Sequence, residues 1–339
     1  MAILITIIGF GIMIFLHELG HFIAAKKFGV LVHEFSIGMG PKIFSFGKGE
    51  TAYSLRALPI GGYVKLEGEN EIEENDNPRS FSNLHPLKRI IVLIAGALMN
   101  VLLGIIIFSI INFKIGVIPS TVASIPEEYS QLKYFEAGDD ILRLNNTRVH
   151  TSEDVQLFMS RLEENESIDI TLKRNGKTVK LDDFTPVKTS EGYKLGVVFN
   201  QEKAGVFKSA GYAVYDTVYI TKAVLYALGD LITGKVGVNT LSGPVEIVTV
   251  VDAVASTKNE YTFLSILMLF AMITVNLGVF NLLPFPALDG GSIVFALYEL
   301  ITRKKIKSEI VGYLSVIGFI LLMVLAAFVT MGDILDLFR

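Results

Sequence analysis

Four stretches of the chain are apolar with almost no polar interruption: residues 1–25, about 90–113, 261–283 and 311–330. Each approaches the roughly 20 residues an α-helix needs to cross a hydrocarbon core, so the pattern predicts four membrane-spanning helices. Between the second and third stretch the pattern changes. Short runs of β-type residues at 121–125, 140–144, 167–174, 177–181 and 194–199 surround one helical period at 152–162, which predicts a small α+β domain. Asn175-Gly176 between two alternating runs predicts a tight hairpin turn. Thr151 and Asp154 have the spacing of a helix-capping box, with Asp in place of the usual Glu or Gln. Residues 203–260 are apolar but interrupted by Lys208, Asp216, Lys222, Asp230 and Lys235. A charge at the centre of a span costs roughly 2.5–3.5 kcal/mol, so this segment predicts amphipathic helices on the membrane surface or against the α+β domain, not a fifth span. The expected organisation is a first membrane half at 1–113, an inserted domain at 114–202, an interfacial helical segment at 203–260 and a second membrane half at 261–339.

Composition sharpens this picture. Of 339 residues, 51% are hydrophobic and 19% charged, and the mean hydropathy is +0.52, which excludes an ordinary soluble or disordered chain. A formal charge of −4, from 30 basic and 34 acidic residues, gives no reason to expect a nucleic-acid partner; the partner implied is the lipid bilayer. With no cysteine, disulfides, thiolate nucleophiles and Cys-ligated metals are excluded. There is no tryptophan either, so an interfacial aromatic belt would rest on the 12 tyrosines, with phenylalanine as a poorer substitute. The first stretch lacks a basic leader and a convincing cleavage site, and reads as a retained helix.

Lysine and arginine set the expected orientation. Lys26, Lys27, Lys42, Lys48, Arg56, Lys65, Arg79, Lys88 and Arg89 lie at or between the first two spans, and Arg303, Lys304, Lys305 and Lys307 between the last two. Both connections are then cytoplasmic. The first residues carry no basic side chain, and the C-terminal stretch sets only Arg339 against Asp333 and Asp336, so both termini and the inserted domain are expected outside.

Inside the first span stand His17, Glu18 and His21. Histidines four apart share one helical face and can present both imidazoles to one ion, with the glutamate beside them to handle protons. This is the HExxH zinc-hydrolase pattern. Three ionisable groups in five residues of a span are costly unless a metal or a polar cavity takes them up. Lys26 is nine residues beyond His17, about 13 Å along a helix, which places the site inside the membrane toward its cytoplasmic side. A catalytic zinc takes three protein ligands and keeps one open position. His33, His85 and His150 are candidates for the third by type, but His150 belongs to the outer domain, and His33 and His85 read as solvated residues of the cytoplasmic loop. Asp289 is the better candidate. It follows Pro284 and Pro286 and precedes Gly290 and Gly291, where the backbone leaves helical geometry at membrane depth, and such backbone must line protein or a water-filled cavity. The alternative makes Asp289 a simple N-cap for a helix from Ser292 onward.

With these residues in view, the chain resembles the site-2 protease family of intramembrane zinc metalloproteases, specifically the bacterial members that carry a PDZ domain. HExxH in the first helix and the Asn-x-x-Pro-x-Pro-x-Leu-Asp-Gly run from Asn281 to Gly290 are that family's defining motifs. Leu58-Pro59-Ile60-Gly61-Gly62-Tyr63-Val64 resembles its membrane-associated β-loop, and Gly138-Asp139-Asp140-Ile141 the Gly-Asp-x-Ile element of a PDZ domain. Ser242-Gly243-Pro244-Val245 matches a further family segment, although Glu246 stands where glycine is usual. Ala95 to Asn100 matches a second-helix motif, with Ala97 in place of proline.

The resemblance implies a polytopic α-helical membrane protein with four transmembrane helices, an inserted α+β PDZ-like domain and a membrane-associated β-loop, in the bacterial plasma membrane. It implies Zn2+ held by His17, His21 and Asp289, with Glu18 as general base. Asn281 and Asn276 are implied to contact substrate or the oxyanion, with hydrogen bonding between helices the alternative for Asn276. Asn100 reads as interhelical glue. Residues 51–66, kinked at Gly61 and Gly62, could pair with an unwound substrate as an added strand. Expected substrates are single-pass membrane proteins first cut by an upstream protease, such as anti-sigma factors or signal-peptide remnants. A catalytically inactive PDZ scaffold and a metal transporter are the competing readings. The intact Glu18 argues against the scaffold, and the lack of a second access path against the transporter.

Overall fold

A computed structural model of the chain describes residues 1–47, 49–69, 77–132, 134–190 and 192–336. Lys48 and Arg339, which entered the charge argument for orientation, lie outside the described residues. Four helices are long and apolar enough to cross a membrane: α1 (Ala2–Lys27), α2 (Pro86–Ile115), α6 (Thr262–Asn281) and α8 (Ser308–Asp336). The helical, apolar chain is that of a polytopic membrane protein. The ends of these helices follow local chemistry. Pro86 opens α2, where its missing N–H costs nothing. Pro284 and Pro286 prevent α6 from continuing. Along α8 the side chains of Tyr313, Val316, Ile320, Val324 and Phe328 are exposed, an arrangement stable only against lipid or another apolar surface.

The chain divides into two compact units, residues 1–104 with 224–339, and residues 105–223. In the first, α1 leads into a long hairpin, β1 (Val32–Phe46) and β2 (Ala52–Leu66), antiparallel and strongly irregular. Residues 34–37 pair on both sides, with 62–65 in the reverse direction and with 52–55 in step. The hairpin is therefore a curled sheet in which Gly62–Leu66 forms an outer edge without a further strand among the described residues. Its base buries Val32, Phe35, Val64 and Leu66 against Leu19 and Phe22 of α1, whereas Ile43, Phe44, Phe46, Leu55 and Leu58 are exposed. Inside the sheet the Glu34 carboxylate accepts hydrogen bonds from Ser54, Tyr63 (2.8 Å) and Arg56 (2.9 Å). Burial opposes its ionisation, but these donors win and pull its pKa down to about 2.

The second unit centres on a four-stranded antiparallel sheet in the order β5 (Thr147–Arg148), β4 (Asp140–Leu144), β6 (Ile168–Arg174), β7 (Lys177–Phe184). Ile141, Leu144, Ile168, Ile170, Leu172 and Phe184 form its buried core with Val155 and Met159 of α3 (Ser152–Met159). The hairpin turn expected at Asn175-Gly176 is present, with φ of 49° and 79°, the two left-handed residues a type I′ turn requires. Thr151 caps α3 through the Asp154 amide, at 3.3 Å. The Asp154 carboxylate accepts the return bond from the amide of His150, one residue earlier than in the ordinary box, and its other oxygen accepts from Lys222 at 3.0 Å. The run expected at 194–199 is not one strand. β8 (Val187–Thr189) pairs with β9 (Gly192–Lys194), and after a break β10 (Val198–Phe199) pairs with β3 (Val122–Ser124), with Gly196 between them at φ 75°.

Residues 203–260 contain α4 (Val206–Ile232) and α5 (Pro244–Ser256), and neither meets the length and apolarity of a span. The first part of α4 belongs to the second unit, where Tyr215 stacks on His150 at 4.2 Å and Asp216 accepts a hydrogen bond from Asn112 at 2.6 Å. In the first unit, α5 packs against α1, α6 and α8. Its N-terminus is capped from a distance: the Asp333 carboxylate accepts backbone N–H bonds from Gly243 (3.1 Å), Val245 (3.1 Å) and Glu246 (3.0 Å). Only the amide of residue 246 is used here, so glutamate serves where glycine is usual.

Candidate metal centre

The two histidines of α1 meet the loop after α6. His17 Nε2 and His21 Nε2 are 3.1 Å apart, and Asp289 Oδ2 stands 3.2 Å from the first and 3.3 Å from the second. These are the only three His, Asp or Glu side chains among the described residues grouped closely enough to hold an ion. Asp289 does not cap a helix from Ser292. It is itself the first residue of α7 (Asp289–Thr302), Leu288 occupies the cap position, and no side-chain cap bond forms. The carboxylate turns to the histidines instead. The loop makes that turn by placing Ala287 at φ 81°. It also packs so tightly on the start of α7 that a Cβ on Gly290 would lie 2.0 Å from the Leu283 carbonyl oxygen and one on Gly291 2.5 Å from that of Phe285.

The donor set can be tested for a metal on geometry alone. Zinc bonds of about 2.0–2.1 Å in a tetrahedron require donor atoms about 3.3 Å apart, and the observed triangle has edges of 3.1, 3.2 and 3.3 Å. Asp289 Oδ2 is buried with no hydrogen-bond partner, an orphan that a cation would satisfy. His21 Nδ1 lies 2.9 Å from the carbonyl of Val92, which fixes the proton on Nδ1 and leaves the Nε2 lone pair for the centre. The residues fit a zinc ion.

Helix α2 frames the histidines from behind. Gly20 allows close approach, since a Cβ there would lie 2.3 Å from the Ala95 carbonyl oxygen. Gly96 faces the imidazoles directly. A Cβ on it would lie 2.3 Å from His21 Nε2 and 2.9 Å from His17 Cε1. Asn100, fully buried, brings Nδ2 within 3.4 Å of His17 Nδ1, and Thr274 of α6 donates to its backbone carbonyl at 3.3 Å. Asn100 does join helices, bonding to His17 of α1 and Thr274 of α6, as its reading as interhelical glue expects. A polar residue in an apolar span was visible, but which helix it addressed was not.

Glu18 is partly buried and lies close to Gly62 and Val64 of β2, where a Cβ on Gly62 would come within 3.5 Å of its Cγ. Gly61, at φ 88°, makes the kink before this point. Asn276 and Asn281 lie in the last part of α6, and Asn276 Oδ1 is buried without a partner. Glu69 was not anticipated. Protein crowded around its carboxyl, with Glu18 and Asp289 adding to the effect and His21 opposing, pushes it up to about 7. The remaining histidines stay apart from the centre: His33 pairs with Glu67, His85 Nδ1 accepts the Leu87 amide, and His150 stacks on Tyr215.

Apolar spans enclosing a His, His, carboxylate triangle beside a glutamate define the membrane-embedded zinc hydrolase class. The chain belongs to peptidase family M50, whose model matches residues 5–325. It is 40% identical over 336 residues to a Clostridium acetobutylicum protein named as a candidate zinc metalloprotease, covering 98% of this chain and 97% of the relative. A Clostridium perfringens protein named in the same way is 36% identical, covering 99% of both chains. The zinc metalloprotease RasP of Geobacillus kaustophilus is 29% identical, covering 99% of this chain and 98% of the relative. The chain is a zinc metalloprotease of the site-2 protease type.

Proposed function

We propose that the chain hydrolyses peptide bonds within transmembrane segments of single-pass membrane proteins, with zinc held by His17, His21 and Asp289. The observation that carries this reading is the convergence of those three donors, beside Glu18, among helices long and apolar enough to span a bilayer. A zinc ion held there would lower the pKa of water to about 7 and polarise the scissile carbonyl. Glu18 would take a proton from the attacking water and give it to the leaving amine. Its place against Gly62–Val64 puts the general base beside the outer edge of β2, where an unwound substrate adds as a strand and offers its backbone to the site. Helical substrate must unwind first, because its carbonyls are otherwise hydrogen-bonded and screened. Asn276, with an unpartnered amide oxygen, and Asn281 are the side-chain amides assigned to substrate or the developing oxyanion.

The exposed apolar side chains of the β1–β2 hairpin support its association with the membrane. The basic loops support a reading in which the centre lies toward the cytoplasm of a bacterial plasma membrane and the α+β domain, which we read as PDZ-like, lies outside. Substrates arrive after an upstream cut, as in regulated intramembrane proteolysis of anti-sigma factors or signal-peptide remnants. Co-expression of a tagged single-pass substrate with the wild type and Glu18→Gln, and zinc analysis of both, tests the chemistry. Loss of the proton carrier lowers cleavage by about 10²–10⁴-fold with zinc retained. Equal cleavage by the two proteins would sink the role of Glu18, and no cleavage by either above cells lacking the protein would favour the scaffold reading.

A further inference from the structure

Val92, Gly96 and Asn100 are spaced by four and form one stripe of α2 that meets the histidines of α1. The Val92 carbonyl orients His21 and Gly96 leaves room for both rings. The third position has no assigned part in the chemistry. Asn100 is 0% exposed, its amide lies 3.4 Å from His17 Nδ1, and its Oδ1 is buried with no partner.

The two orientations of this amide exchange Oδ1 and Nδ2, and they have opposite consequences. With Nδ2 toward the ring, His17 Nδ1 must be the bare, accepting nitrogen, so the proton sits on Nε2, where the ligand set needs a lone pair. Asn100 Oδ1 is then also left unpaired. With Oδ1 toward the ring, it accepts the Nδ1–H of His17, and Nε2 is free for the metal. The exchange corrects the tautomer of His17 and gives Asn100 Oδ1 a partner, and it moves the unpartnered end of the amide from Oδ1 to Nδ2. This is the relation His21 already has with the Val92 carbonyl.

We propose that Asn100 is a positioning residue for His17, holding by its amide oxygen the tautomer and ring orientation in which Nε2 binds zinc. The proposal rests on the reading of His17, His21 and Asp289 as zinc ligands. The Thr274 hydroxyl, bonded to the Asn100 backbone carbonyl, ties this position to α6. An acceptor on the far nitrogen of a metal-bound histidine typically governs affinity by 10–100-fold.

The experiment measures zinc affinity of the full chain, purified in detergent, by competition with a chelator of known affinity. Asn100→Leu, which removes the acceptor at similar volume, weakens zinc binding by about 10–100-fold. Asn100→Asp restores an acceptor and stays close to the wild type. If Asn100→Leu does not fold, Asn100→Ser, too short to reach the ring, must show the same loss. Wild-type affinity in the folded Leu or Ser variant overturns the proposal. So does an Asp variant as weak as Leu, or a pattern in which all variants lower the melting temperature with zinc affinity unchanged, as mere helix packing would give. His17→Ala separates the two readings. If it binds zinc as tightly as the wild type, the ligand set is wrong; if it loses zinc while Asn100→Leu keeps it, only the role of Asn100 fails.

Discussion

Replacing Gly96 by alanine adds one methyl group to the floor of the metal centre, and the structure fixes where it goes. The new Cβ would lie 2.3 Å from His21 Nε2, 2.6 Å from His21 Cε1 and 2.9 Å from His17 Cε1. Ordinary contacts of this kind are about 3.5–4.0 Å, so the rings must retreat by about 1 Å or α2 must back away from α1. Backing away is resisted by Gly20, which seats the Ala95 carbonyl closely against α1. Overpacking of this kind costs about 1–3 kcal/mol, while alanine in a helix interior gains about 0.8–1.0 kcal/mol over glycine. The two partly cancel, so global stability changes little. The centre has no such compensation: a displacement near 1 Å is of the size that costs about 10²-fold in a positioned site. The expected result is a protein that melts within a few degrees of the wild type but binds zinc and cleaves a reporter about a hundredfold less well. Chelator competition, thermal unfolding and reporter cleavage read the three quantities separately. Wild-type zinc affinity and cleavage in a folded Gly96→Ala would refute the assignment of this face of α2 to the centre.

Two further expectations concern the second unit. Asp216 in α4 is pushed from 3.8 up to about 6 by burial, with Asn112 opposing and Glu153 and Asp154 adding to the rise. Between those values the folded protein holds a proton that the unfolded chain has released, so stability falls as pH rises from about 4 to about 6. Asp216→Asn removes that slope and stabilises the unit at pH 7–8 by about 1–3 kcal/mol; thermal unfolding at several pH values checks this, and an unchanged slope refutes it. Lys177→Cys, at the exposed β6–β7 turn and without the strain of a substitution at Gly176 with φ 79°, is expected to react with a membrane-impermeant maleimide on intact cells, with no background because the chain has no other cysteine. Labelling only after the cells are opened would reverse the orientation.

What could be read without coordinates was whatever is periodic or chemically costly. The four spans emerged because apolar runs of that length have few other uses, and His17, Glu18 and His21 because charge inside such a run needs a reason. Asp289 could be nominated from the prolines and glycines around it, but not separated by residue chemistry from a helix cap. That separation depends on a backbone turn at Ala287 that periodicity does not record. The contribution of Val92 was invisible in principle, since it acts through its carbonyl and any side chain would supply it. Gly96 and Asn100 stood in plain sight within a motif, but their partners lie on another helix more than seventy positions away. Strand boundaries in the second unit were readable where turns are sharp, as at Asn175-Gly176, and failed at 194–199, where one apolar run serves two sheets.

The stripe formed by residues 92, 96 and 100 makes α2 a ruler as well as a membrane anchor. A helix turns by about 100° per residue. One residue added between 92 and 100 would leave the span as oily as before while rotating one end of the stripe away from the histidines. Additions before 92 or after 100 keep the stripe whole. Outside Gly96 and Asn100 the second span is thus free to vary in composition and in overall length, but its phase across these nine positions is pinned by two imidazole rings on a neighbouring helix.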